Sequence, residues 1–125
     1  MLLEALFGIL IFSLGILALV GLQASSVKQS NAGRYRTDAA MLANQLVGQM
    51  WLGNHSLVSN FQTNGTAYAP WAAQVTALLP GATANPPTVV VATNNVVTIT
   101  IFWKAPSAPA SEAANKFVLT TQVPL

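Results

Sequence analysis

The sequence predicts an α+β fold: a long N-terminal helix packed on a small three-stranded antiparallel sheet. Three observations predict it. No proline occurs before Pro70, so nothing interrupts a helix over the first 52 residues. Within that stretch the apolar pattern changes from continuous to periodic. After Pro87 come Val- and Thr-rich runs of strand length, separated by Asn- and Pro-containing breaks.

The first element is the apolar run. Ala5–Leu22 is interrupted only by Ser13 among polar residues, and no charge occurs from Ala5 to Val27. A helix needs about 17–25 apolar residues to span a bilayer, so this run is at the lower edge of sufficient length. Glu4 stands just before it, and the first bases, Lys28, Arg34 and Arg36, all follow it. A cleavable secretory signal carries its bases ahead of the apolar core; here the preceding residues are Met1-Leu2-Leu3-Glu4. Read alone, this charge distribution puts the C-terminal flank in the cytoplasm. That conflicts with the weakly charged, Thr- and Asn-rich remainder, which resembles an exported head. A short basic leader ahead of Met1, removed during processing, resolves the conflict, and the chain is therefore read as a mature form.

The second half of the helix is amphipathic. Tyr35, Ala39, Leu42, Leu46 and Met50 recur at spacings of three and four. Ala40, Ala43, Val47 and Trp51 are expected to widen that stripe, and Arg34, Asp38, Asn44, Gln45 and Gln49 to face away from it. Gly53-Asn54 is a stop signal. The predicted helix over residues 2–52 is roughly 75 Å long at 1.5 Å per residue. Residues 1–27 form its transmembrane or polymer-core part; residues 28–125 form a head that includes the helix's second half. Gly8, Gly15 and Gly21 admit two readings, close helix packing or local melting.

Asn54–Ala69 reads as loop. A short helix is expected over Pro70–Leu79, since Pro suits a first helical turn, with Pro80-Gly81 ending it. Ala82–Pro87 is a linker. Strands are expected near 88–93, 96–103 and 116–123, with Asn94-Asn95 as a tight turn because Asn tolerates positive φ. Val97, Ile99, Ile101 and Trp103 share one face of the second strand, with Thr98, Thr100 and Phe102 on the other. Ala105–Asn115 is a loop, and Phe117, Leu119, Thr121 and Val123 share one side of the third strand. Leu42, Leu46, Met50, Ile99, Ile101 and Phe117 are expected in one buried cluster, with Trp51, Trp71 and Trp103 as anchors.

Composition narrows the chemistry. Charged residues make up 6% of the chain, against about 25% in a typical soluble domain. Five bases are too few for a nucleic-acid footprint. With no cysteine, thiolate catalysis, thiolate metal sites and disulfides are excluded. His55 is the only histidine, and the acids Glu4, Asp38 and Glu112 lie far apart in sequence. No phosphate-binding loop or metal-ligand spacing occurs. The expectation is a protein that is not an enzyme, with no catalytic, cofactor-binding or metal residues. Asn54-His55-Ser56 and Asn64-Gly65-Thr66 fit a glycosylation pattern and are read as chance.

Glu4 is the unusual residue. A carboxylate at the edge of an apolar span is costly unless it is paired. Either it sits among lipid headgroups, or it pairs with an α-amino group, its own or a neighbouring chain's.

Met1-Leu2-Leu3-Glu4-Ala5-Leu6 followed by an uncharged helix resembles the type IV pilins and the pseudopilins of type II secretion. Gly21-Leu22-Gln23-Ala24, Tyr35-Arg36-Thr37-Asp38-Ala39-Ala40 and Ala43-Asn44-Gln45-Leu46 are similar to PilV-like minor pilins, the pilus modification proteins. Val97–Trp103 and Phe117–Gln122 also look like that family's strands. The resemblance implies a structural filament subunit, with other pilin subunits as partners and a prepilin peptidase as processing enzyme. It implies residence in the bacterial inner membrane before assembly, then in an extracellular or periplasm-spanning filament. It makes Met1 the candidate for N-methylation, and Met1 with Glu4 the assembly residues, Glu4 neutralising the N-terminal amine of an adjoining subunit. The family's acid is usually the fifth mature residue, whereas here it is Glu4, and the C-terminal disulfide loop of many major pilins is missing. Whether the filament serves adhesion, motility or DNA uptake is left open. The alternatives are a type II secretion pseudopilin and a single-pass membrane-anchored periplasmic binding module.

Overall fold

The computed structural model describes residues 1–125. Helix α1 spans Leu2–Leu52 and is followed by a 3-10 helical segment, His55–Phe61, and helix α2, Tyr68–Leu78. Strands β1 (Thr88–Val91), β2 (Val96–Trp103) and β3 (Asn115–Gln122) complete the chain. They form one antiparallel sheet in the order β1-β2-β3. The α+β architecture is the expected one. The chain divides into two compact units, Met1–Arg34 and Tyr35–Leu125.

The second unit has a single apolar core. From α1 it takes Ala39, Leu42, Ala43, Leu46 and Met50, and from β2 it takes Val97, Ile99, Ile101 and Trp103. Alternation along β2 is strict: every second residue is buried, as a strand with one covered face requires. Val58, Tyr68, Trp71, Val75, Leu79, Val89 and Val123 close the core. No polar or charged residue is buried in it. Two buried polar atoms of aromatic residues reach backbone carbonyls: Trp71 Nε1 donates to Leu42 O at 2.9 Å, and Tyr68 Oη donates to Pro87 O. The first ties α2 to α1 and the second ties it to the linker before β1, and each satisfies a group that burial would otherwise penalise.

The structure corrects several boundaries and faces. Trp51 is half-exposed and does not widen the buried stripe, although Ala43 does. At 100° per residue, Trp51 lies about 140° round α1 from Leu46, outside the covered arc. Phe117 packs against the core but is only partly buried. The segment after Gly53 is not plain loop. Asn54 caps it, its Oδ1 accepting from Ser56 N at 3.0 Å and from Ser56 Oγ at 2.7 Å, and Val58 enters the core.

Helix α2 starts at Tyr68 rather than Pro70. Pro70 is its third residue, where the missing N–H has no intrahelical partner to lose. β1 stops at Val91 because a three-residue loop follows. Asn95 N donates to Ala92 O at 3.0 Å, and Ala92 N donates to Val96 O at 2.9 Å. Asn95 itself is left-handed, with φ 57°. This is a type I turn closed by a left-handed residue, a common three-residue hairpin. Gly65 is required by close approach, since a Cβ there would collide with the Asn60 carbonyl.

Candidate membrane-insertion and assembly segment

Leu2 to Val27 is helical throughout, and every residue in it is exposed. Leu6, Phe7, Ile9, Leu10, Ile11, Phe12, Leu14 and their successors to Val20 all present large apolar side chains without a covering neighbour. The helix is long and apolar enough to cross a membrane. At 1.5 Å per residue, the uncharged stretch Ala5–Val27 measures about 35 Å, against roughly 30 Å for a bilayer's hydrocarbon core. Ala5–Leu22 contains twelve Leu, Ile, Phe and Val residues. At about 0.3–0.6 kcal/mol each, they favour insertion by roughly 4–7 kcal/mol, before the smaller opposing contributions of glycine and serine.

The one hydroxyl within the run is accommodated internally: Ser13 Oγ donates to Ile9 O at 2.8 Å. That bond removes most of the penalty of placing a polar atom in hydrocarbon. Gly8, Gly15 and Gly21 have open space where a Cβ would stand. Packing within the chain therefore does not demand glycine at these three positions.

Met1 and Glu4 share the start of α1. Ala5 N donates to Met1 O at 3.2 Å, and Glu4 lies in the helix's first turn. A carboxylate there interacts favourably with the partial positive charge of the helix N-terminus. Both residues are exposed, so the α-amino group and the carboxylate are presented together at the tip of the apolar span.

The remaining chemistry-bearing residues are dispersed. His55 Nε2 lies 3.1 Å from Trp51 O, and the two rings meet edge-on with centroids 6.3 Å apart. This joins the end of α1 to the 3-10 segment. Asp38 is on α1 and Glu112 in the loop before β3; no three acids or histidines come together in a group that could hold a metal. Burial pushes the Tyr68 hydroxyl's pKa above its ordinary value of 10.0. Sequence reasoning had no signal for Thr63, whose N donates to Val89 O at 3.0 Å and whose Oγ1 accepts from Val89 N at 2.8 Å. Those bonds cap the outward backbone groups of Val89 on the outer edge of β1.

Compared with family models, with curated proteins and with solved structures, the chain matches none.

Proposed function

We propose that this chain is a structural subunit of a type IV pilus or pilus-like filament, of the minor-pilin kind. The supporting observation is the uncovered apolar half of α1, which precedes the stripe that builds the head's core in the same helix. An element apolar on all sides needs an apolar environment outside its own chain. Lipid supplies one before assembly, and the helices of other subunits supply one afterwards.

Glu4 gives the proposal its specificity. In the membrane its carboxylate lies at headgroup level and stays hydrated. In a polymer core it must be paired, because an uncompensated buried charge is strongly destabilising. The N-terminal amine of a neighbouring subunit, methylated at Met1 in this reading, is a cation at the same depth. Such a pair fixes the axial register of one helix against the next more than it adds net stability. The three glycines allow helix backbones to approach closely. The partners in this reading are other pilin subunits and the inner membrane, with a prepilin peptidase in processing.

A plain membrane anchor carrying a periplasmic binding head is the second reading, since the same helix is long and apolar enough to span a bilayer. Glu4→Gln separates the two. In the filament reading the variant inserts at least as well as wild type, because removing the charge eases insertion. It is nevertheless depleted from sheared filaments relative to its abundance in the membrane fraction. Arg36→Ala, beyond the apolar span, has the milder effect. Normal recovery of Glu4→Gln in filaments refutes the pairing and favours the anchor.

A further inference from the structure

Asn64 is the only asparagine followed by glycine, and that pair has a chemistry of its own. A deprotonated main-chain nitrogen attacks the carboxamide of the preceding asparagine most readily where its own residue has no Cβ in the way. The fold requires the glycine, because a Cβ at Gly65 would collide with the Asn60 carbonyl. It also favours the asparagine: the residue has φ 69°, a left-handed conformation that asparagine accepts and most side chains resist. The loop thus assembles a reactive dipeptide for reasons of backbone shape.

The same loop holds the reacting nitrogen. Gly65 N donates to Gln62 O at 2.7 Å. This closes a turn over Gln62–Gly65 whose third residue, Asn64, has the positive φ of a type II turn. Thr63, the second residue of the turn, is fastened to β1. Its N donates to Val89 O at 3.0 Å, and its Oγ1 accepts from Val89 N at 2.8 Å. Beyond the turn, Ala67 N donates to Asn60 O at 3.1 Å and Tyr68 N to Gly65 O at 3.2 Å. Asn64 itself is exposed, and its carboxamide takes no part in these bonds. The electrophile is open to water while the nucleophile is engaged.

We infer that Asn64-Gly65 is a self-modification site kept shut by this turn, reacting only when the turn opens. On opening, base removes the Gly65 amide proton and the nitrogen bonds to Asn64 Cγ. The bond from Cγ to Nδ2 breaks, Nδ2 takes up a proton and leaves as ammonia, and a cyclic succinimide remains. Water opens the ring at either carbonyl, giving aspartate or isoaspartate; the sum is one water consumed for each ammonia released. Isoaspartate routes the main chain through Cβ and Cγ, so the lengthened turn cannot reclose on the same bonds. Either product adds a carboxylate to the unit Tyr35–Leu125, whose acids are Asp38 and Glu112. The modification records, irreversibly, that the loop beside β1 has opened. The inference is independent of what the N-terminal segment does.

The test uses the full chain in detergent micelles at mildly alkaline pH, with peptide mass mapping to locate each amide converted to a carboxylate. In denaturant, Asn64 should react before any other asparagine. In the folded chain it should react about a hundredfold more slowly, since the Gly65 bond and the two bonds to Val89 must open first. Hydrogen exchange at Gly65 needs the same N–H released and should be slowed by the same factor, to within about tenfold. Thr63→Gly removes the hydroxyl that holds Val89 and loosens the turn backbone. It should speed the folded-state reaction about tenfold while the head's tryptophan-fluorescence melt is retained. Equal rates in the folded and denatured chain, another asparagine reacting first, or a Thr63→Gly rate equal to wild type overturns the proposal. If Thr63→Gly does not fold, the wild-type comparison decides. Matched slowing of exchange and modification supports the gate, and a mismatch beyond about tenfold refutes it.

Discussion

Leu46→Ala tests whether α1 and the sheet share one core. Leu46 is completely inaccessible and sits in the middle of the buried stripe. Removing its isobutyl group forfeits a transfer contribution of roughly 1.5–3 kcal/mol. A residual cavity adds to that, because Leu42, Met50 and the β2 side chains are held by their own elements and collapse only in part. The total expected loss is about 2–5 kcal/mol. The unit Tyr35–Leu125 is of a size at which each kcal/mol lowers Tm by about 4–8 °C. The melting midpoint should therefore fall by roughly 8–40 °C. Tryptophan fluorescence reports on the head alone, since Trp51, Trp71 and Trp103 all lie in it and the last two are buried. The control is Met41→Ala, an adjacent-turn position that is half-exposed and should cost about 0.5 kcal/mol or less. If Leu46→Ala shifts the midpoint no more than Met41→Ala, the shared core is wrong.

The Tyr68 hydroxyl titrates at a higher pH folded than unfolded, because burial disfavours its charged form. Its contribution is fully present below pH 10 and is lost as pH rises through the folded value; Tyr68→Phe should flatten that alkaline decline in chemical-denaturation curves measured from pH 8 to 11.5. At Asn95, whose φ is positive, Asn95→Gly should be close to neutral in thermal melts, while Asn95→Ala should lose about 1 kcal/mol. Equal melts for the two variants would show that backbone strain does not govern the hairpin. Thr63→Val should leave the head folded but slightly destabilised, by roughly 1–2 kcal/mol, as it removes the hydroxyl that accepts from Val89 N; faster hydrogen exchange confined to Val89 would mark the loss.

What was legible in the sequence depended on period. Leu42, Leu46 and Met50 repeat with the helix, and Val97, Ile99 and Ile101 with the strand, so each pattern named its own buried face. Trp51 was misread because size and aromaticity suggested an anchor while its angle on the helix placed it outside the covered arc. The 3-10 segment was missed because one turn has no repeat to display; its signal was chemical, an Asn54 cap followed by apolar Val58. The role of Thr63 at the edge of β1 was invisible because hydrogen-bond parity depends on register, and register is set by pairing across the sheet. For Met1 and Glu4, position was legible as an acid at the head of an uncharged span, and the structure places both at the exposed start of α1.

Val123 carries a consequence for how the chain is made. It is wholly buried, although it lies just past the last strand, so the head's core is incomplete until the ribosome has added it. Met50, at the far end of the buried stripe of α1, is synthesised 73 residues earlier (123 − 50). At about 5–20 residues per second, that apolar stripe waits roughly 4–15 s for its last partner. The uncharged segment before it is translated earlier still and needs no later residue of this chain to cover it. Its environment is therefore chosen first, during elongation, and the head closes afterwards.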